Sequence, residues 1–194
     1  MKTSASSFLT FDLDYFFMGY ADYSYKENPY YFMKKLINLS IPIHVFMEHH
    51  EVLNYMDKPY STIYNVDFHS DIVHDPCTDL NEGTWANFYP YKNKAVFQWN
   101  YPEKYSCFDQ GFGICDEFPK KWSTDLMNYK EVRRRSGITN IDYPTLSRIG
   151  ISISPDWVDE RVFDFMKSFS VFDSIIGKVY EKCTGGDKND SGEV

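Results

Sequence analysis

The stretch Asn65-Val66-Asp67-Phe68-His69-Ser70-Asp71 constrains this chain more than any other. It closes a run, Ser61-Thr62-Ile63-Tyr64-Asn65-Val66, whose β-branched and aromatic residues predict a buried strand. Alternation along a strand sends Asp67, His69 and Asp71 to one side of its end and Phe68 and Ser70 to the other. Two carboxylates crowded into one space repel, and one has its pKa raised unless a cation lies between them. A divalent metal removes the conflict. A solvated Asp/His cluster capping the next helix is the competing reading of the same residues.

Two further stretches share that pattern of acid or imidazole at a strand end. Residues 8–17 read as an apolar strand carrying Asp12 and Asp14 at i and i+2, again on one face. Same-facing acids on an apolar strand are costly unless paired or metal-bound. Residues 41–47 predict another buried strand, which runs into a helix starting at Glu48-His49-His50-Glu51. Adjacent residues at a helix start point about 100° apart, so one of His49 and His50 faces such a site. His44 is expected to pair within the sheet.

The remaining chain alternates helices and strands. Asn28-Pro29 opens a helix through Asn38, with Pro in the first turn. A long polar loop follows Asp71, and long loops in compact domains are often functional; there Glu82 can set a carboxylate at the mouth of the site. Residues 95–101 predict a strand, 108–118 a loop, and 120–136 a charged helix with Arg133-Arg134-Arg135 on a solvated face. Residues 147–154 predict the last strand. Ser154-Pro155-Asp156-Trp157 then starts a helix with Ser at its N-cap, interrupted near 168–170. The expected architecture is a single α/β domain over residues 1–183, a three-layer sandwich around a mainly parallel sheet, with a disordered tail at 184–194. Ligands in such folds bind beyond the carboxyl ends of the strands. Six candidates gather there: Asp12, Asp14, one of the two adjacent histidines, Asp67, His69 and Asp71.

Charge and composition narrow the partners. A net charge of −8 argues against nucleic-acid binding and suits a cationic substrate. Sixteen Tyr and sixteen Phe exceed what a small core needs, so some are expected along a groove. Cys77, Cys107, Cys115 and Cys183 show no C-x-x-C spacing, which predicts free thiols in a reducing compartment. With no signal-peptide pattern and no stretch long enough to span a membrane, the expected location is cytoplasmic.

The motifs together resemble the arginase or ureohydrolase group and its binuclear manganese site. D-F-H-S-D matches its D-x-H-x-D, Asp12 and Asp14 match its D-x-D, and His49 after Glu48 matches its single His. In ordinary arginases the D-x-D comes late; here it opens the chain. That early D-L-D, the E-H-H-E-V-L, the D-F-H-S-D and the late S-I-S-P-D-W resemble the peptide arginases of bacterial ribosomal-peptide maturation, over about residues 8 to 157. The resemblance implies an arginase-like fold with rearranged motif order and two Mn²⁺ ions. Asp12 and Asp67 would bridge them, His49 and Asp71 completing one shell and His69 and Asp14 the other. It implies hydrolysis of arginine in a precursor peptide to ornithine and urea, with hydroxide attacking the guanidinium carbon and Asp71 carrying a proton to the departing amine.

Two positions depart from that pattern. Glu82 stands where ordinary enzymes have a His, and Ser152 where they have an acid on the last strand. Glu82 is thereby a candidate to hold the guanidinium or relay protons, and Ser152 joins Glu82 and Trp85 as a candidate substrate contact. No loop for recognising a free amino acid is identifiable, and Trp85, Phe88, Tyr89 and Tyr91 offer aromatic contacts for a longer peptide. Two rivals stand beside this reading. F-D-L-D-Y-F also resembles the start of haloacid-dehalogenase phosphatases with Asp12 as nucleophile, although Phe16 replaces their Thr or Val and Asp67, His69 and Asp71 go unexplained. The other is a catalytically silent binder of Arg-bearing peptides.

Overall fold

Six strands lie side by side, all parallel, in the order β2-β6-β1-β3-β4-β5. They are β1 (Ser7–Asp12), β2 (Ile43–Phe46), β3 (Thr62–Val66), β4 (Val96–Tyr101), β5 (Glu131–Ser136) and β6 (Leu146–Ser152). The computed structural model describes residues 6–18, 27–72, 79–102 and 128–185. Parallel strands cannot be joined by tight hairpins and are covered on both faces, which is why β1 and β3 read as nearly continuous apolar runs.

Alternation along the strands builds two cores. Leu9, Phe11, Tyr64, Val66, Ile149 and Ile151 point to one face, where they meet α2 (Pro29–Ile37), α3 (Arg161–Lys167) and α4 (Ile176–Gly185) through Phe32, Leu36, Phe165 and Val179. Phe8, Ile63, Phe97 and Trp99 point to the other and pack under the 3-10 segments His49–Tyr55 and Trp85–Phe88. The result is an α/β arrangement consistent with three layers. Each large apolar side chain so buried contributes about 1.5–3 kcal/mol, a reserve against which costly polar groups can be held.

Thr10 and Asn65 are register partners on the second face, amid apolar neighbours, each two residues before a ligand-type acid. Gly150 of β6 pairs with Thr10, and a Cβ there would lie 3.0 Å from Phe46 and 3.2 Å from Val52. Its missing side chain lets the segment carrying His49 sit close on the sheet.

Several expected elements differ. β1 stops at Asp12, and Asp14–Phe17 forms a helical turn, α1, because the Asp14 N–H turns back to Asp12 Oδ1 (3.0 Å). β3 ends at Val66, as its apolar run predicts, so Asp67, His69 and Asp71 lie beyond the strand rather than along it. Glu131–Ser136, expected within a charged helix, pairs along its length with β4 as an edge strand; pairing overrides local helix propensity, and charges there blunt an exposed edge. The His49 segment is 3-10 rather than α. Ser154 caps no helix: its φ of +48° is not the extended N-cap conformation, and α3 begins only at Arg161. Thr184 and Gly185 end α4, whereas the rest of the expected tail, the 108–118 loop, residues 120–127, Cys77, Cys107 and Cys115 lie outside the described residues. Cys183 is a free, exposed thiol. Among the described residues no helix is long and apolar enough to cross a membrane.

Candidate metal centre

All six ligand candidates converge at the carboxyl ends of three strands. Asp12 ends β1 and Asp14 opens α1; Asp67, His69 and Asp71 follow β3; His49 follows β2. From β1 the chain crosses first to β2 on one side and later to β3 on the other, so β1 and β3 flank the point where ligands bind in such sheets.

Turns, not continued strands, bring the motif residues together. The His69 N–H donates to Asp67 Oδ1 (2.7 Å), just as Asp14 does to Asp12, and the Phe68 N–H donates to Asp14 Oδ1 (3.3 Å). Short acidic side chains that bond the backbone two residues on favour such turns. Asp71 then takes a left-handed φ of +56°, which brings its carboxylate back over the cluster.

His49 is 1% exposed, and its Nδ1 lies 2.8 Å from Asp71, 3.0 Å from Asp67 and 3.2 Å from Asp12. None of these contacts has hydrogen-bond geometry, so the buried Nδ1 has no hydrogen-bond partner and points between three carboxylates. On the ring's other side Nε2 lies 2.7 Å from Thr10 Oγ1. When Nε2–H donates there, Nδ1 keeps its lone pair for a metal. His69, with its side chain 38% exposed, sets Nδ1 2.9 Å from Asp14 and 3.9 Å from Asp67. Two donor groups result, Asp12/His49/Asp67 and Asp14/Asp67/His69, in each of which the ligand atoms lie within 4.8 Å of one another. Asp67 belongs to both. The partnerless Nδ1 and the spacing of these oxygens fit a metal ion, and each group can hold one.

The electrostatics show the same need for positive charge. Burial, then Asp71, pushes Asp67 up to about 7 against the lowering influence of His49. Burial and Asp67 push Asp14 up to about 6, with His69 opposing. Burial would lower His69, but its bond to Asp14 and the charges of Asp14, Asp67 and Asp71 outweigh it and hold it up at about 10. Burial likewise works against protonated His49, yet Asp71, Asp12 and Asp67 keep it well above the ordinary imidazole range. Without a cation the imidazoles themselves hold protons to balance the acids.

A layer of donors supports the carboxylates. Ser154 Oγ donates to Asp12 Oδ2 (2.5 Å), and the Trp85 indole N–H donates to Asp71 Oδ2 (2.6 Å) while its ring stands 5.1 Å from that of His49. Trp99 Nε1–H holds the Asp67 carbonyl (2.9 Å), and Asn65 reaches Asp67 Oδ2 at 3.5 Å. Trp85 and Ser152 are therefore corrected from substrate contacts to supports: both are wholly buried, Trp85 under Asp71 and Ser152 behind Ser154. Tyr89 is also buried, with its hydroxyl on the Lys58 carbonyl, so much of the aromatic loop is core. Glu82 is half-buried, three residues before Trp85; no hydrogen bond joins it to the cluster among the described residues. Facing solvent beside His69 is Trp157, 37% exposed and edge-on at 5.2 Å.

Thr10, Asn65 and Ser154 were missed as supports. A signal existed for the first two: each is a polar residue in an apolar strand, two positions before an acid. Comparison with family models, with curated proteins and with solved structures returned no match.

Proposed function

We propose that the protein is a binuclear manganese hydrolase of the peptide-arginase kind, with an arginase-like fold whose motif order is rearranged, converting arginine residues of a ribosomally made precursor peptide to ornithine with release of urea. The observation that carries the metal part is the pair of donor groups sharing Asp67, with His49 Nδ1 buried and partnerless among three carboxylates. Carboxylate and imidazole donors without thiolate suit Mn²⁺. Six ligands exceed one tetrahedral ion, which supports two ions per chain. The arginine and peptide parts rest on the motif resemblance, with the charge of −8 favouring a cationic substrate.

Asp12, His49, Asp67 and Asp71 would hold the buried ion, and Asp14, Asp67 and His69 the one nearer solvent. When bound, such a pair lowers the pKa of water enough to supply hydroxide near neutral pH. Asp71, which the Trp85 indole holds, would take a proton and pass it to the departing amine. Glu82 remains the candidate for the guanidinium at the loop. The exposed faces of His69 and Trp157 mark the side from which a peptide would approach.

A phosphohydrolase using Asp12 alone would leave Asp67, His69 and Asp71, gathered with it in one buried cluster, without a role. The test is a urea assay of Mn²⁺-filled protein on an Arg-containing precursor against free arginine. The expected result is far better turnover of the peptide, with a mass loss of about 42 Da for each arginine converted. Better kcat/KM on free arginine would make it a small-molecule ureohydrolase; tight peptide binding with no urea would make it a silent binder.

A further inference from the structure

Ser154 is the one side chain at the cluster held in place by an unfavourable backbone conformation without being a ligand candidate. Its φ is +48°, a left-handed value that L-residues other than Gly, Asn and Asp seldom adopt. The conformation is fixed on two sides: the Ser154 N–H donates to the Met47 carbonyl (2.8 Å), and the Ser154 carbonyl accepts from Trp157 N–H (2.9 Å). Its consequence is to direct a buried hydroxyl at Asp12 Oδ2, 2.5 Å away, while Ser152 Oγ stands 2.9 Å behind it.

The donor order follows from counting hydrogens. A hydroxyl has one, and that of Ser154 goes to Asp12 Oδ2, so Ser152 must donate to Ser154. In a buried setting such a chain polarises along its length, each bond strengthening the next. Asp14 N–H occupies Oδ1 of the same carboxylate at 3.0 Å. Asp12 is thereby clamped at both oxygens, each of which retains a second lone pair.

We propose that Ser152 and Ser154 form a hydroxyl relay that positions Asp12 for metal binding, with Ser154 as a positioning residue whose left-handed backbone is retained for that purpose. The proposal rests on the metal centre proposed above but not on the identity of the substrate. Position 154 on stability grounds alone favours Gly, which adopts φ +48° without a Cβ penalty. A merely structural serine would then be replaceable by Gly at no loss to metal binding.

The experiment is a Mn²⁺ titration by calorimetry of wild type, Ser154→Gly, Ser154→Ala and Ser152→Ala, with the melting temperature of each metal-free protein as the second readout. Ser154→Gly is expected to melt no lower than wild type, yet to bind Mn²⁺ about 10- to 100-fold more weakly, the usual range for a lost support of a ligand. Ser154→Ala should lose affinity to the same degree, and Ser152→Ala by a few-fold, since it weakens the relay without removing the donor to Asp12. Wild-type affinity in Ser154→Gly would overturn the positioning role, and unchanged affinity in Ser152→Ala would overturn the relay. Should Ser154→Gly fail to fold, the argument from backbone conformation fails with it. A wild-type protein that takes up no Mn²⁺ would instead remove the metal centre itself.

Discussion

Filling the cluster with metal must expel protons, and the number can be worked from the side chains. At pH 7 His69, held at about 10, carries a full proton, and His49, held well above the ordinary imidazole value by Asp71, Asp12 and Asp67, carries another. Asp67, pushed up by burial to about 7, carries about half of one, and Asp14, at about 6, about a tenth. A ligand imidazole or carboxylate must give up the proton that sits where the ion binds. Loading both groups at pH 7 therefore releases about two and a half protons. At pH 5 both raised carboxylates are protonated as well and the release rises to about four; above pH 7 it falls toward the imidazoles' share alone.

The sign follows directly. The empty site binds more protons than the filled one, so Mn²⁺ affinity increases with pH throughout this range, most steeply below pH 7 where Asp14 and Asp67 still titrate. Calorimetric titration with Mn²⁺ in buffers of different ionisation enthalpy measures the count as the slope of observed heat against buffer enthalpy. His69→Asn should lower it by about one proton. A slope near zero, or proton uptake, in wild-type protein that demonstrably binds Mn²⁺ would refute the reasoning, because the ion would then be bound elsewhere than at these imidazoles.

Other substitutions separate ligands from supports. Trp85→Phe keeps an aromatic ring against His49 and Phe97 but leaves Asp71 Oδ2 without its 2.6 Å donor; a bond to a charged group is worth about 1.5–3 kcal/mol, so Mn²⁺ affinity measured by titration should fall about tenfold or more. Gly150→Ala inserts a Cβ 3.0 Å from Phe46 and 3.2 Å from Val52, which should cost about 1–3 kcal/mol in urea unfolding and, by lifting the His49 segment, weaken Mn²⁺ binding. His49→Ala should abolish one of two Mn²⁺ in metal analysis, whereas His50→Ala, outside both donor groups, should keep both; the reverse pattern would reassign the ligand.

How much of this was legible in the sequence depends on which interaction fixes each element. The apolar runs of β1, β3 and β4 announced buried strands, and acids or histidines at three strand ends announced a shared site, because a parallel sheet collects its strand ends on one edge. The route was misread. Alternation was invoked to put Asp12 beside Asp14 and Asp67 beside His69, but both strands end first and side-chain-to-backbone turns do the gathering. The run Glu131-Val132-Arg133-Arg134-Arg135 has helix-compatible composition, and only its pairing with β4, remote in sequence, makes it a strand. Trp85 is an unremarkable loop aromatic until the chain folds, when its indole becomes the donor to Asp71. Ser154 before Pro155 has the pattern of a helix start, and nothing local signals the left-handed backbone that turns its hydroxyl to Asp12.

Two of the positive-φ non-glycine residues, Asp71 and Ser154, belong to the cluster and its support, and each such conformation costs on the order of 1–3 kcal/mol. The same small space holds four carboxylates against two imidazoles, so that even with both rings protonated two negative charges stay unmatched if every acid is ionised. Raised pKa values at Asp14 and Asp67 are the relief available without a cation. A chain selected for stability alone would place Gly at the two strained positions and apolar residues under them, at the level of Thr10 and Asn65, where the surrounding face is Phe, Ile and Trp. Local strain, buried like charge and polar residues in an apolar layer thus coincide at one edge of the sheet. Departures that coincide in this way, around buried like charge that a cation would relieve, are what a fold shows where it can hold a metal ion rather than where it packs poorly.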